Sequence, residues 1–136
     1  MAVTRVDLAG ASVRSIMRPG VVTVPGSASL TQVAQAMTSH GVHAVLVVDP
    51  GAAEPAGWAT SRALIARLLD FSPSVPVIDA VTEMPTAILP SAPVADAIRA
   101  LASPGVTHLL VTTGRGAVPQ GVVSETDIVR YAAGQA

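Results

Sequence analysis

Residues 121–127, with the sequence Gly-Val-Val-Ser-Glu-Thr-Asp, bring hydroxyl and carboxylate groups close together in the chain. The glycine allows the backbone to come close to another group. A strand before Ser124 and a helix after it would direct the Ser124 hydroxyl, the first helical N–H groups and Thr126 toward the same space. Helix starts of this kind favour phosphate. A carboxylate such as Asp127, one turn into the helix, suits a ribose diol.

The same residues also fit a purely structural role. The spacing Ser124-x-x-Asp127 is that of an N-capping box, in which Ser124 caps the helix and Asp127 reaches back. At an offset of 64 residues, the counterpart keeps a hydroxyl at Thr60 but has Ala63 where the carboxylate would be. The two helix starts differ as they would if only one bound a diol, and equally as neutral drift would leave them. Both interpretations stay open at this point.

The two helix starts belong to two copies of a longer repeat. Shifted by 64 residues, the chain matches itself without a gap, and Gly41 falls on Gly105. Each copy predicts a strand, an amphipathic helix that ends at that glycine, two more strands and a closing helix. The predicted strands span residues 21–24, 44–48 and 57–59, then 86–89, 108–111 and 121–123; the closing helices span residues 61–70 and 125–133.

This arrangement predicts an α/β (α+β) fold made of tandem β-α-β-β-α repeats. One such unit cannot cover its own sheet, whereas two packed with pseudo-twofold symmetry can, leaving ligand clefts between them. Residues 1–12 would form an N-terminal extension, residues 13–70 the first repeat, residues 71–76 a linker and residues 77–136 the second repeat.

Composition excludes several classes of protein. The 136 residues include no cysteine, so disulfides, thiolate metal sites and thiol nucleophiles are excluded. The net charge of −1 is not the basic excess of a nucleic-acid binder. The uncharged stretch 19–48 is interrupted by proline, glycine and polar residues, so we expect no membrane span. No signal-peptide apolar region opens the chain, and we expect a cytoplasmic protein.

Catalytic and metal-binding arrangements are poorly supported. His40-x-x-His43 lacks a third histidine at ligand spacing, so no metal site is expected. Ser124 and Asp127 are too close in sequence to flank an imidazole such as that of His108, and there is no nucleophile elbow. We therefore expect no catalytic residues, no cofactor and no enzyme activity.

The two-copy pattern resembles a CBS-domain pair, also called a Bateman module. The residues that carry the resemblance are Val13-x-x-Ile16-Met17, Val22-Thr23-Val24-Pro25, Leu30-x-x-Val33-Ala34-x-x-Met37, residues 42–49 and the stretch from Gly121 through Asp127 to Arg130. The resemblance covers about residues 11–133, and its specificity comes from the joint order of these motifs and their duplication. It implies two clefts, each drawing on both copies, in which AMP, ADP, ATP, S-adenosylmethionine or NAD binds.

The resemblance also implies which residues form one cleft. Asp127 would hold the ribose, Ser124 and Thr126 would meet phosphate, and residues of the first copy would contact adenine. The expected ligand-binding residues are Gly20, Val22, Val42, His43, Ala44, Val122, Ser124, Thr126 and Asp127, with Arg18 and Arg130 as candidates for phosphate contacts. So few basic residues favour a nucleoside or monophosphate over a triphosphate. The counterpart cleft has Ala63 in place of the carboxylate, and we expect it to be weak, empty or repurposed.

Two functions follow as expectations. The first is a regulatory sensor that binds an adenine nucleotide or related adenosyl ligand in the Asp127 cleft and signals through a separate partner protein. The second is a structural or oligomerisation module with no bound nucleotide. A homodimer is expected, because both closing helices leave apolar positions and related modules pair through such helices.

Overall fold

The computed structural model describes residues 10–70, 72–80 and 83–134. Contacts divide the described residues into two compact units. Residues 21–70, 72–80 and 83–85 form one, called here the repeat-1 unit, and residues 10–20 with 86–134 form the other, the repeat-2 unit. Residues 10–20, which precede the predicted strand at residues 21–24, therefore belong to the same unit as the second repeat. The compact units thus do not coincide with the sequence repeats.

The described residues form the predicted repeats together with three short additional elements. In chain order the elements are α1 (Val13–Ile16), β1 (Arg18–Pro19), β2 (Thr23–Val24), α2 (Leu30–His40), β3 (Ala44–Val47), β4 (Gly57–Thr60), α3 (Ser61–Arg67), α4 (Val77–Ala80), β5 (Thr86–Ile88), α5 (Val94–Leu101), β6 (His108–Val111), β7 (Gly121–Ser124) and α6 (Glu125–Gly134). The mixed α+β fold of tandem β-α-β-β-α repeats is thus confirmed. The additional elements are α1, β1 and α4, which are too short to carry a periodic signal.

Each unit has its own sheet. In the repeat-1 unit the strand order is β2-β3-β4, with β2 parallel and β4 antiparallel to β3. In the repeat-2 unit the order is β1-β7-β6-β5, and the same parallel and antiparallel pairings recur between β5, β6 and β7. The extra strand β1 runs antiparallel to β7. None of the helices in the described part of the chain combines the length and apolar character that a membrane crossing requires.

Local signals set the ends of α2. Ser29 Oγ accepts a hydrogen bond from Gln32 N at 3.1 Å, and Gln32 Oε1 accepts one from Ser29 N at 2.9 Å, which completes a capping box. The helix ends at Gly41, whose φ of 62° is left-handed and whose N–H donates to Met37 O. This confirms the predicted glycine cap in the first repeat, where a residue with a Cβ would adopt the left-handed conformation only at a cost. In the second repeat the prediction is wrong, since α5 ends at Leu101 with Ala102 as its C-cap, before Gly105 is reached.

The closing helix α3 is shorter than its sequence pattern predicts. It ends at Arg67, not at Asp70. Asp70 N donates to Arg67 O at 3.0 Å, a bond to the third preceding residue that belongs to a tight turn. Leu69 is 96% exposed, so no packing extends the helix across this segment.

Each unit buries one face of its sheet against helices. The repeat-1 core contains Val24, Ala28, Leu30, Val33, Met37, Val45, Val47, Ala59, Leu64 and Val77. The repeat-2 core contains Val13, Ala97, Leu109, Val111 and Val123. Because side chains alternate along a strand, Leu46 and Trp58 point away from the first core, and Leu110 points away from the second.

The short helices α1 and α4 complete these cores. Val13 of α1 is fully buried in the repeat-2 core, and its N–H donates to Ala92 O at 2.8 Å. Val77 of α4 is fully buried in the repeat-1 core, and its N–H donates to Ala28 O at 2.7 Å. The repeat-2 unit therefore contains α1, which precedes β2 in the chain, and the repeat-1 unit contains α4, which precedes β5.

Candidate functional site

The carboxylate of Asp127 lies at the turn between β7 and α6. As predicted, α6 begins at Glu125, and β7 extends one residue beyond the predicted strand to include Ser124. Asp127 is 3% exposed, and its Oδ2 accepts hydrogen bonds from Ser124 N at 2.8 Å and from Ser124 Oγ at 3.1 Å. Its Oδ1 accepts one from Arg130 Nη1 at 3.3 Å. These bonds offset the cost of removing the carboxylate from water.

The capping interpretation of this turn is confirmed for Asp127. Its side chain reaches back to the Ser124 N–H, as the capping box requires. The Ser124 hydroxyl donates to the same carboxylate oxygen. A carboxylate in the first turn also complements the partial positive charge of a helix start. Capping uses Oδ2, whereas Oδ1 meets a guanidinium whose side chain is 63% exposed.

Gly121 permits a close approach of the chain to itself. In the pairing of β1 with β7, Arg18 lies opposite Val122, and just beyond it Gly20 N donates to Gln120 O at 2.9 Å. A Cβ on Gly121 would collide with the backbone carbonyl oxygen of Arg18. The close approach predicted for this glycine is therefore an approach by the segment 18–20.

Seven of the eleven predicted site residues belong to the repeat-2 unit. They are Arg18, Gly20, Val122, Ser124, Thr126, Asp127 and Arg130. The first three lie along the pairing of β1 with β7, and Ser124, Asp127 and Arg130 share one hydrogen-bonded network. Thr126 is exposed at the start of α6. This unit thus brings the predicted ribose and phosphate groups to one strand-to-helix turn and its neighbouring strand.

The other four predicted residues belong to the repeat-1 unit. They are Val22, Val42, His43 and Ala44. The backbone oxygen of His43 accepts from Ser61 N at 2.8 Å, and that of Val22 accepts from Leu46 N at 2.8 Å. Ala44 is buried, whereas the His43 side chain is exposed. Their assignment to an adenine contact stays a prediction.

The counterpart turn in the repeat-1 unit has different chemistry. Thr60 Oγ1 accepts from Ala63 N at 3.2 Å, so a hydroxyl caps α3, and no acidic residue occupies the first turn. A Cβ on Gly57 would lie 2.7 Å from Glu83 O, which repeats the close approach seen at Gly121. Both units use a glycine for the same contact, but of these two turns only the one in the repeat-2 unit carries a carboxylate.

His40 and His108 have side-chain partners outside any metal or catalytic arrangement. His40 Nδ1 lies 3.0 Å from Ala36 O. His108 is opposite Ser124 in the sheet, and its Nδ1 lies 2.9 Å from Thr107 Oγ1. The Ser124 hydroxyl donates directly to a carboxylate, whereas a hydrolase triad places an imidazole between these groups. Within residues 10–70, 72–80 and 83–134, no three potential metal ligands cluster.

Two of the polar contacts that the sequence did not predict involve a carboxylate. The first is the ion pair of Asp127 with Arg130, which the i, i+3 spacing signals. The second joins Asp49 Oδ1 to Gly26 N at 2.7 Å, a contact between residues 23 positions apart that no local pattern signals. Asp49 thus fixes the loop before α2.

The comparisons with known proteins agree with this architecture. The family model of the CBS domain matches the chain twice, at residues 13–70 and 75–134. The chain therefore belongs to the CBS domain family, and the resemblance inferred from the sequence is confirmed. Among curated proteins, no sequence matches the chain.

Several solved CBS structures are similar to the chain. A CBS domain pair in complex with 5′-methylthioadenosine and S-adenosyl-L-methionine has a TM-score of 0.81 at 17% identity, covering 93% of this chain and 98% of that one. A CBS domain protein from Pyrobaculum aerophilum complexed with AMP has a TM-score of 0.77 at 17% identity, with coverages of 90% and 99%. The CBS domain of a bacterial CNNM/CorC family Mg²⁺ transporter in complex with ATP has a TM-score of 0.77 at 19% identity, with coverages of 95% and 92%. These likenesses show the fold.

Proposed function

We propose that this chain is a regulatory module that binds an adenine nucleotide or related adenosyl ligand through Asp127. It passes the signal to a separate partner protein and catalyses no reaction itself. Asp127 accepts a ribose hydroxyl, and Thr126 donates to a phosphate at the start of α6, which Ser124 borders while its own hydroxyl stays hydrogen-bonded to Asp127 Oδ2. The observation that carries the proposal is a buried carboxylate whose Oδ1 is not used for capping.

Three similar structures support the class of ligand. One holds 5′-methylthioadenosine and S-adenosyl-L-methionine, another AMP and the third ATP. An adenosine group is common to all of these ligands. For this chain the scarcity of basic residues near the turn favours adenosine or AMP over ATP, because each added phosphate needs compensating positive charge.

A thermal-shift screen tests the proposal. Adenosine, AMP, ADP, ATP, S-adenosylmethionine and NAD are each added at millimolar concentration, and a ligand that binds only the folded protein raises Tm. We expect a rise with at least one of them that disappears in Asp127→Ala. That substitution also costs about 1 kcal/mol of stability through the lost cap, so each variant is compared with its own ligand-free Tm.

The chain offers a closely matched control, Asp96→Ala. Asp96 is also the third residue of its helix and also pairs with an arginine three positions later, at 2.8 Å. Its side chain is 49% exposed, whereas that of Asp127 is 2% exposed. The ligand-induced shift should survive in Asp96→Ala. No shift with any of the six compounds in the unmodified protein would contradict the proposal.

A second candidate function, a structural or oligomerisation module, is supported by apolar side chains at the end of α3. Ile65 is 67% exposed, Leu68 49% and Leu69 96%. We propose that this surface pairs two copies of the chain, since exposed apolar clusters commonly mark interfaces. Sedimentation at micromolar concentration tests it: a dimer mass that falls to the monomer mass in Leu69→Asp, but not in Val118→Asp on an exposed loop of the repeat-2 unit, is the expected result. A monomer mass for the unmodified protein contradicts it.

A further inference from the structure

The Asp127 carboxylate has limited capacity for further hydrogen bonds. An ionised carboxylate offers about four lone-pair sites over its two oxygens. Oδ2 accepts from both the N–H and the hydroxyl of Ser124, which fills it. Among the described residues, the remaining contact is that of Arg130 Nη1 with Oδ1. One acceptor position is therefore left on Oδ1, although a ribose diol presents two donors.

We propose that Arg130 is an internal competitor for the ribose-binding position of Asp127. This inference rests on the proposed function. The guanidinium occupies the place on Oδ1 that a second ribose hydroxyl needs, so a diol ligand donates both of its hydroxyls to Asp127 only after the ion pair opens. Arg130 is able to leave, because its side chain is 63% exposed while that of Asp127 is 2% exposed. The arginine thus sets how strongly the site distinguishes a ribose from a deoxyribose.

The competition has two measurable consequences. While Arg130 stays on Oδ1, one ribose hydroxyl finds a free acceptor there. The second hydroxyl must displace Arg130, so the hydrogen bond that it gains is offset by the loss of the ion pair. The unmodified protein should therefore discriminate weakly between adenosine and 2′-deoxyadenosine. In addition, adenosine carries no charge, so added salt acts mainly on the ion pair, weakens it and strengthens adenosine binding. A phosphate contact by Arg130 would instead make AMP binding weaker with salt.

Calorimetric titration of Arg130→Ala with adenosine and 2′-deoxyadenosine tests the inference. Partly exposed ion pairs are weak, so we expect Arg130→Ala to bind adenosine roughly three- to tenfold more tightly than the unmodified protein. The preference for adenosine over 2′-deoxyadenosine should rise by a similar factor, and the salt dependence should vanish. Arg130→Lys, which keeps a cation at this position, should return most of the competition.

The matched control is Arg99→Ala. Arg99 forms an i, i+3 pair with Asp96 in α5 of the same unit, and that pair is exposed on both sides. Its removal should leave both affinities unchanged, which separates local competition from a general loss of positive charge. Urea unfolding of each variant checks that the fold is intact.

The outcomes separate this inference from the proposed function. Tighter adenosine binding in Arg130→Ala, or binding detectable in that variant alone, supports the competition. Unchanged or weaker adenosine binding in Arg130→Ala, with binding still dependent on Asp127, overturns the competition and leaves the proposed function intact. If neither the unmodified protein nor Arg130→Ala binds any adenosine compound, the proposed function itself fails.

Discussion

Replacing Gly121 by alanine should detach β1 from the repeat-2 sheet. A Cβ at this position would collide with the backbone carbonyl oxygen of Arg18 and would lie 2.8 Å from Met17 Sδ. The methionine side chain can rotate away, but the carbonyl belongs to the pairing of β1 with β7. It moves only if the segment 18–20 moves with it, and the hydrogen bond from Gly20 N to Gln120 O then lengthens.

The expected cost follows from these contacts. Inserting a methyl group into a filled site costs about 1–3 kcal/mol. Loss of a backbone hydrogen bond adds about 0.5–1.5 kcal/mol. We therefore expect Gly121→Ala to lower the free energy of unfolding by about 2–4 kcal/mol. Because Arg18 and Gly20 are predicted site residues on the displaced segment, adenosyl binding should weaken as well.

Urea unfolding followed by circular dichroism measures this cost. Gly134→Ala is the control, since a Cβ on Gly134 at the end of α6 would meet nothing within 4 Å. That variant should be as stable as the unmodified protein or up to about 1 kcal/mol more stable, because alanine favours helix. A free energy of unfolding for Gly121→Ala within about 0.5 kcal/mol of the unmodified value would refute the reasoning.

Two further substitutions test how the repeat-1 unit is stabilised. Ser29→Ala removes the hydroxyl that accepts from Gln32 N and should lower the free energy of unfolding by about 1 kcal/mol, whereas Ser39→Ala on the exposed face of α2 should not lower it. Val77→Ala should cost about 1.5–3 kcal/mol if α4 completes the repeat-1 core, while Val118→Ala, at a position 84% exposed, should stay within about 0.5 kcal/mol. Equal stability of Val77→Ala and Val118→Ala in urea would contradict the placement of α4.

The long elements of the fold were predictable from local patterns. The apolar residues Leu30, Val33 and Met37 recur at helical spacing and are the buried residues of α2. The apolar run 44–48 does not alternate, and all four residues of β3 are buried. Repetition at an offset of 64 residues strengthened both predictions, because the second copy shows the same pattern independently.

The short elements were not predictable, since they are stabilised by contacts far away in sequence. Strand β1 has two residues, and it exists because Gly121 lets Arg18 approach β7. Helix α1 begins at Val13, whose N–H donates a hydrogen bond to the carbonyl oxygen of Ala92. No hydrophobic periodicity or structural propensity within residues 10–20 indicates that Gly121 and Ala92 are their partners. Gly121 itself indicates only that another group comes close to the backbone at that position.

The strand-to-helix turn that carries the candidate site was predictable, whereas the geometry of its side chains was not. The order Ser124-x-x-Asp127 identified the turn, and the structure confirms the reach-back contact. Which carboxylate oxygen caps the helix and which one contacts Arg130 depends on side-chain rotamers, and these cannot be read from a sequence. Arg130 Nη1 lies on Asp127 Oδ1; the proposed competition with the ribose follows from that contact, whereas a phosphate contact by Arg130 stays a prediction.

The most direct test of the account is a calorimetric titration of AMP and adenosine into the unmodified protein, Asp127→Ala and Asp96→Ala. Loss of hydrogen bonds to a charged acceptor costs about 1.5–3 kcal/mol, so Asp127→Ala should raise Kd roughly 10- to 150-fold. Asp96→Ala should bind as the unmodified protein does. Binding that is equally strong in Asp127→Ala, in a variant that remains folded, would contradict the central claim that this carboxylate holds the ligand.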